Sequence, residues 1–315
     1  MANFKLFSLN NGIASEIKNQ QSYFDRERQL QILVEQNMYS FFAVNFIKSE
    51  WAITEGRMDS VGLDENCSLV IFEYKKKENE NIINQALFYL DWLKDHKGDF
   101  KDIVRDKLGD DKANNIDWNN PYVVCLASEF NKYDEHAVKQ MQSNIKLVKY
   151  KKYDNLIAFE QTYDGINNGT YINRVLTSSN NDSVDTENRN NSNDFSICLD
   201  KMKTDQYMIE LFDDICSYIE NLGDLEKVEL KKYLAYKKIT NIICVTIKPT
   251  AKLIHLYLSL NTSDVEIKNY IDTRHVLRNV ANIGHYGTGD LELTISSRDD
   301  FENNKDLIDL AYNNN

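Results

Sequence analysis

The sequence predicts an α/β protein in which strands alternate with amphipathic helices through a first domain, followed by a small α+β domain. Three observations carry this. Ser68 to Lys75 holds Leu69, Val70, Ile71 and Phe72 in succession, apolar on both faces, which marks a strand buried within a sheet. Asn81 to Leu93 repeats Ile82, Ile83, Ala86, Leu87, Leu90 and Leu93 at helical spacing. Thr177 to Asn193 contains six asparagines and four serines with Val184 as its only apolar residue, too little buried surface to offset its ordering entropy. The expected division is therefore 1–176, a linker at 177–194, and 195–315, with both domains large enough to bury a core.

In chain order, Phe4 to Ile17 reads as a hairpin turning at Asn10, Asn11 and Gly12. Ser22, with Asp25 three residues on, reads as the cap of a helix whose stripe is Leu30, Leu33, Val34 and Met38. Glu35 borders that stripe, where spacing alone turns it to water. Phe41 to Ile53, aromatic and β-branched, reads as the first strand of the sheet; Glu50 and Arg57 flank the approach to the next and read as a structural ion pair, with contact to phosphate or a neighbouring carboxylate as the alternative. Arg57 to Leu63 and Ser68 to Lys75 alternate around a polar turn, an antiparallel hairpin. The helix at Asn81 to Leu93 follows, then strand Pro121 to Ala127, helix Glu135 to Gln142, and one or two strands within Ile145 to Phe159.

The hairpin is where chemistry gathers. With its turn centred near Asn66, Asp59 lies opposite Glu73, at a separation that lets two carboxylates share a divalent cation. Alternation puts Lys75 on the face of Glu73 and turns Tyr74 away. Phosphodiester hydrolysis at neutral pH is served by a metal that two carboxylates hold and benefits from a nearby lysine, while the spacing alone equally admits a surface hairpin with ordinary solvated charges. Glu73 and Lys75 follow a run that is apolar on both faces, and charges at the end of such a strand need a reason. Gln85 and Tyr89, four apart, share one edge of the following helix.

An aspartate, then ExK across a hairpin, then QxxxY on the next helix resembles the PD-(D/E)XK nuclease superfamily, in the branch with RecB-like motifs. The stretches GRMD, LDE, VIFEYK and QALFYLDWL resemble endonuclease-like proteins of archaea and bacteria that act on DNA. The likeness runs from about Phe24 to the end of the first domain, and Met58 stands where the superfamily name has proline. It implies a restriction-endonuclease-like mixed sheet flanked by helices and a DNA endonuclease dependent on Mg2+ or Mn2+. Asp59 and Glu73 would hold the metal, with Lys75, the helical acidic Glu35, Gln85 and Tyr89 completing the catalytic set. The alternative is a nuclease fold that has become a silent nucleic-acid-binding or assembly module.

The formal net charge of −12 argues against a passive, nonspecific DNA coater but leaves room for local cations, such as Lys76 and Lys77 beside the hairpin. The five cysteines stand singly with no CxxC, so neither a disulfide framework nor a zinc site is expected. No apolar run is long enough to span a bilayer, the first twenty residues lack the blocks of a signal peptide, and a cytoplasmic protein with no membrane partner is the expectation.

In the second half, Asp205 to Leu222 reads as a helix stopped by Gly223, Thr240 to Ile247 and Lys252 to Leu260 as a hairpin, Asp290 to Ile295 as a strand, and Ser297 to Tyr312 as a terminal helix. GHYGTGD, at 284–290, lacks the lysine and hydroxyl of a phosphate loop and reads as a tight connection. KKYLAYKKITN and IGHYGTGDLE resemble a small domain of unknown function often found behind nucleases, and that likeness implies no chemistry. Lys231, Lys232, Lys237 and Lys238, with Tyr233 and Tyr236 between them, admit either a phosphate-contacting, base-stacking surface or one exposed face. His255, His275 and His285 show no ligand spacing. A role in substrate recognition, in a homodimer or in binding a protein partner is open to this domain.

Overall fold

The computed structural model describes residues 7–10, 13–17, 21–22, 24, 26–75, 82–141, 144–153, 155–164, 194–281, 283, 285 and 287–314. Two compact units divide the chain: Met1–Asp64 with Ser68–Ile166, and Glu65–Cys67 with Asn167–Asn315. The Asn/Ser-rich stretch 177–193 lies outside the described residues.

The first unit opens with β1 (Phe7–Asn10) and β2 (Ile13–Glu16), paired antiparallel with Phe7 opposite Glu16. Next comes β3 (Gln21–Ser22), which corrects the expected cap: Ser22 pairs with Lys152 in a ladder, and α1 (Glu27–Phe42) begins five residues later. There the Arg26 N–H donates to Gln29 Oε1 at 3.4 Å. The helix also runs into the expected strand, because Phe42 extends the buried i, i+4 row of Leu30, Val34 and Met38. Ala43, at φ 51°, closes it with an N–H bond to Tyr39 O.

Then follow β4 (Val44–Ile53), β5 (Gly56–Asp64), β6 (Ser68–Lys75), α2 (Ile82–Asp95), α3 (Lys97–Leu108), α4 (Asp110–Asn114), β7 (Asp117–Ala127), α5 (Lys132–Met141), β8 (Ile145–Tyr153) and β9 (Leu156–Asp164). Both α3 and α4 escape the sequence pattern, since only Phe100, Val104 and Ala113 are buried in a highly charged run. The sheet runs β3, β8, β7, β6, β5, β4, with β9 also on β8. β6, β7 and β8 are parallel and the other pairs antiparallel, so this is a mixed sheet flanked by helices. Leu69 to Phe72 on β6 and Val123 to Ala127 on β7 are almost wholly buried, as strands covered on both faces must be.

The second unit contains α6 (Phe195–Met202), α7 (Gln206–Glu220), β10 (Glu226–Glu229), β11 (Leu234–Lys237), β12 (Asn241–Lys248), a 3-10 turn at Pro249–Ala251, β13 (Leu253–Leu258), α8 (Val265–Thr273), β14 (Leu277–Asn279), β15 (Leu291–Ile295), α9 (Arg298–Glu302) and α10 (Lys305–Asn313). Its sheet, β10, β11, β12, β13, β15, β14, is antiparallel throughout. Ile243, Val245, Ile254, Leu256, Leu293 and Ile295 on one face pack with Ile215 and Ile219 of α7 and Leu307 and Ile308 of α10. The expected terminal helix is two helices, broken at Asn303 and Asn304. Gly289, at φ 127°, passes so close to Leu258 that a Cβ would sit 2.7 Å from its backbone, the tight connection expected of this segment.

Candidate active site

A fork in the first sheet builds the site. β5 and β6 pair from Leu63↔Leu69 to Ser60↔Phe72, a register centred on Asn66, and there their ladder ends. Each strand continues on its other side: β5 with β4 to Gly56↔Ile53, and β6 with β7 to Lys75↔Ala127. Asp59 and Glu73 are the first residues past the split. Their carboxylates take up backbone donors left there: Tyr74 N–H donates to Asp59 Oδ2 at 3.1 Å, and Asp59 N–H to Glu73 Oε1 at 3.4 Å.

Glu73 is 2% exposed. Burial first, then the charge of Asp59, push its carboxyl up to about 8, against which the Asp59 N–H and the charge of Lys75 act weakly. Burial likewise raises Asp59, opposed by the Tyr74 N–H and Lys75, while Glu50 and Glu27 add to the rise. The buried Glu73 and the half-buried Asp59 face one another beside the charge of Lys75, and their hard oxygens suit a divalent cation such as Mg2+. Among the described residues no group of three or more His, Cys, Asp or Glu side chains forms a metal centre. Asp59 and Glu73 are thus a pair of donors, and a cation held by them would complete its shell with backbone, water or substrate oxygens.

Glu35 is brought to the same strands by a different route. Its Oε1 accepts from Ser60 Oγ at 2.6 Å, Ser49 Oγ at 2.7 Å and Gln31 Nε2 at 2.9 Å. Gln31, only 4% exposed, also donates to Asp59 O at 2.8 Å, and Tyr74 Oη donates to Ser60 Oγ at 3.1 Å. Glu35 therefore ties β5, which carries Asp59, to β4 and α1. Sequence reasoning missed Gln31, Ser49 and Ser60. The available signal was Gln31 four residues before Glu35 on one helix face.

Tyr89 is buried, and its hydroxyl both accepts from Arg57 N–H at 3.2 Å and donates to Arg57 O at 3.0 Å, fixing β5 two residues before Asp59. Gln85 is exposed on α2, and no described residue bonds its side chain. Lys75 is half-buried, while Lys76 and Lys77 lie outside the described residues.

In the second unit the expected stacking surface is corrected. Tyr233, Tyr236 and Lys237 are buried, because KKYLAYKK runs into β11 inside a six-stranded sheet. Lys232 pairs with Asp194 at 2.7 Å and Lys238 lies over the Tyr312 ring at 4.1 Å, leaving Lys231 exposed. The histidines are less scattered than their spacing suggests. His285 stacks on Tyr257 at 4.7 Å, and His255, beside Tyr257, has Nδ1 3.2 Å from Glu292.

The chain matches no protein-family model. A protein of Haemophilus influenzae (strain KW20 / Rd), described only as uncharacterized, is 29% identical over 320 residues, which span 98% of this chain and 99% of that one. Among solved structures, a repair endonuclease from Pyrococcus abyssi overlaps 41% of this chain and 48% of its own, at 17% identity and a TM-score of 0.28. The EndoMS-dsDNA2 complex overlaps 42% of this chain and 48% of its own, at 16% identity and a TM-score of 0.25. The overlap thus spans about half of those chains, and scores this low carry nothing about the site.

Proposed function

We propose that the first unit is a divalent-metal-dependent nuclease acting on DNA, with Asp59 and Glu73 holding Mg2+ or Mn2+. The observation that supports this most is the fork: a buried and a half-buried carboxylate meet where a ladder ends, burial raises both, and the charge of Asp59 adds to the rise of Glu73. The resemblance of GRMD, VIFEYK and QALFYLDWL to PD-(D/E)XK nucleases points the same way. A bound cation would polarise a phosphoryl oxygen and acidify a water. Asp59 and Glu73 keep their places through the Tyr74 and Asp59 N–H groups. Lys75 supplies a cation near the carboxylates, where it offsets charge building on the phosphate. Glu35, through Ser49, Ser60 and Gln31, holds β4, β5 and α1 together, and Tyr89 anchors Arg57.

The test is cleavage of single-stranded, duplex and branched DNA, and of RNA, by the full chain with Mg2+, Mn2+ or Ca2+. Cleavage is expected with the first two, whereas Ca2+, with looser coordination and weaker acidification of water, supports binding alone. Cleavage that survives Asp59→Asn and Glu73→Gln would overturn the site. Among the described residues no third His, Cys, Asp or Glu side chain joins Asp59 and Glu73, and the alternative is a silent nucleic-acid-binding or assembly module. Binding without cleavage of any of these substrates would establish it.

A further inference from the structure

Beside the fork, on its β4 side, one carboxylate holds two guanidinium groups. Glu50 Oε2 accepts from Arg57 Nη1 at 2.6 Å, and its Oε1 from Arg28 Nη1 at 3.0 Å. Both arginines are more than half exposed, Arg28 at 52% and Arg57 at 58%, and Glu50 is 30% exposed. Among the described residues the only further side-chain bond to either guanidinium joins Arg28 Nη1 to Gln31 Oε1 at 3.1 Å. The other N–H groups of two planar forks remain for a ligand. The cluster carries one net positive charge in a chain of formal charge −12.

Its place ties it to Asp59. The register Ser49↔Ser60 and Trp51↔Met58 sets Glu50 across from Asp59, and Arg57 precedes Asp59 by two residues on β5. Arg28 reaches the same strand through Gln31, which donates to Asp59 O. Glu50 sits at φ 53°, a left-handed conformation that costs a non-glycine residue energy and persists only where the surroundings enforce it.

We propose that Glu50 is a positioning residue that aims Arg28 and Arg57 at backbone phosphates flanking the one held at Asp59 and Glu73. The ligand class is the phosphodiester backbone of a nucleic acid, matched by exposed guanidinium donors. This rests on the nuclease reading for its orientation toward the fork, but binding tests it separately from cleavage.

The experiment measures affinity of the full chain for a fluorescent duplex and the matching single strand against salt, in Ca2+. Arg28→Ala and Arg57→Ala should each weaken binding about ten-fold, the size of a charge-assisted bond, and make the log–log salt slope shallower by about one. Arg→Lys at either position should restore most of the slope. Glu50→Gly gives the sharper test, since glycine takes a positive φ without strain and folding is preserved. Removing a negative charge near a polyanion would by Coulomb's law tighten binding, whereas losing the positioning group weakens it several-fold. Tighter or unchanged binding by Glu50→Gly, unchanged slopes in the arginine variants, or no binding by the unsubstituted chain would each overturn the proposal. Arginine-dependent binding by a chain that cuts nothing supports the subsite and overturns the nuclease reading. Cleavage that depends on Asp59 with unaltered slopes in the arginine variants overturns the subsite alone.

Discussion

Glu73 pairs a chemically demanding position with a simple test. Its side chain is almost wholly buried, faces a second carboxylate and accepts the Asp59 N–H. Glu73→Gln keeps the shape and the acceptor while removing the charge, so the fold should persist and cleavage fall at least about a hundredfold, as loss of a metal or electrostatic contribution of several kcal/mol requires. Comparing melting curves with turnover checks this. Tyr89→Phe makes a finer probe. It leaves the ring in place and removes the hydroxyl that grips both backbone groups of Arg57, and a loss of roughly ten-fold in cleavage is expected from the slackened β5. An unchanged rate would show that β5 holds its course without the clamp.

Among the elements, α10 shows how a charge pair seats a helix. Arg274, just past α8, places Nη1 and Nη2 on the two Asp306 oxygens at 2.8 and 2.7 Å, and Asp306 stands in the first turn of α10. The hydrogen bonds of Arg274 hold the Asp306 carboxyl below its usual value. Stability from a depressed carboxyl is fully present above the unfolded value, near 3.8, and is lost as pH falls through the lower folded value. Since both partners are partly exposed, Arg274→Ala should cost no more than about 1 kcal/mol at neutral pH and flatten the acid limb of the stability curve below about pH 4. Urea melts from pH 2 to pH 7 would show it. Gly289 is a harsher case: Gly289→Ala combines φ 127° with a Cβ 2.7 Å from Leu258 backbone, so a loss of at least about 2 kcal/mol is expected in the same melts.

For the whole molecule, the expected outcome of limited proteolysis is a cut within 177–193 that yields two folded fragments, because this stretch has Val184 as its only apolar residue. Cutting inside either unit with that stretch intact would move the boundary. No helix among the described residues is long and apolar enough to cross a membrane.

The local pattern alone determined the buried β6 strand, its hairpin with β5 about Asn66, the α2 stripe and the opposition of Asp59 to Glu73, because alternation, turn centre and helical spacing are written in neighbouring residues. Tertiary structure decided the rest. Whether Ser22 caps a helix or joins a ladder depends on Lys152, far along the chain. Whether the lysines and tyrosines of KKYLAYKK face solvent depends on the neighbours of β11, and Tyr236 is buried once β10 and β12 flank that strand. Glu35 meets Ser49 and Ser60, and Glu50 gathers Arg28 and Arg57, only when α1 lies against β4 and β5. Such partners are set by long-range packing, on which the periodicity of a single segment has no hold.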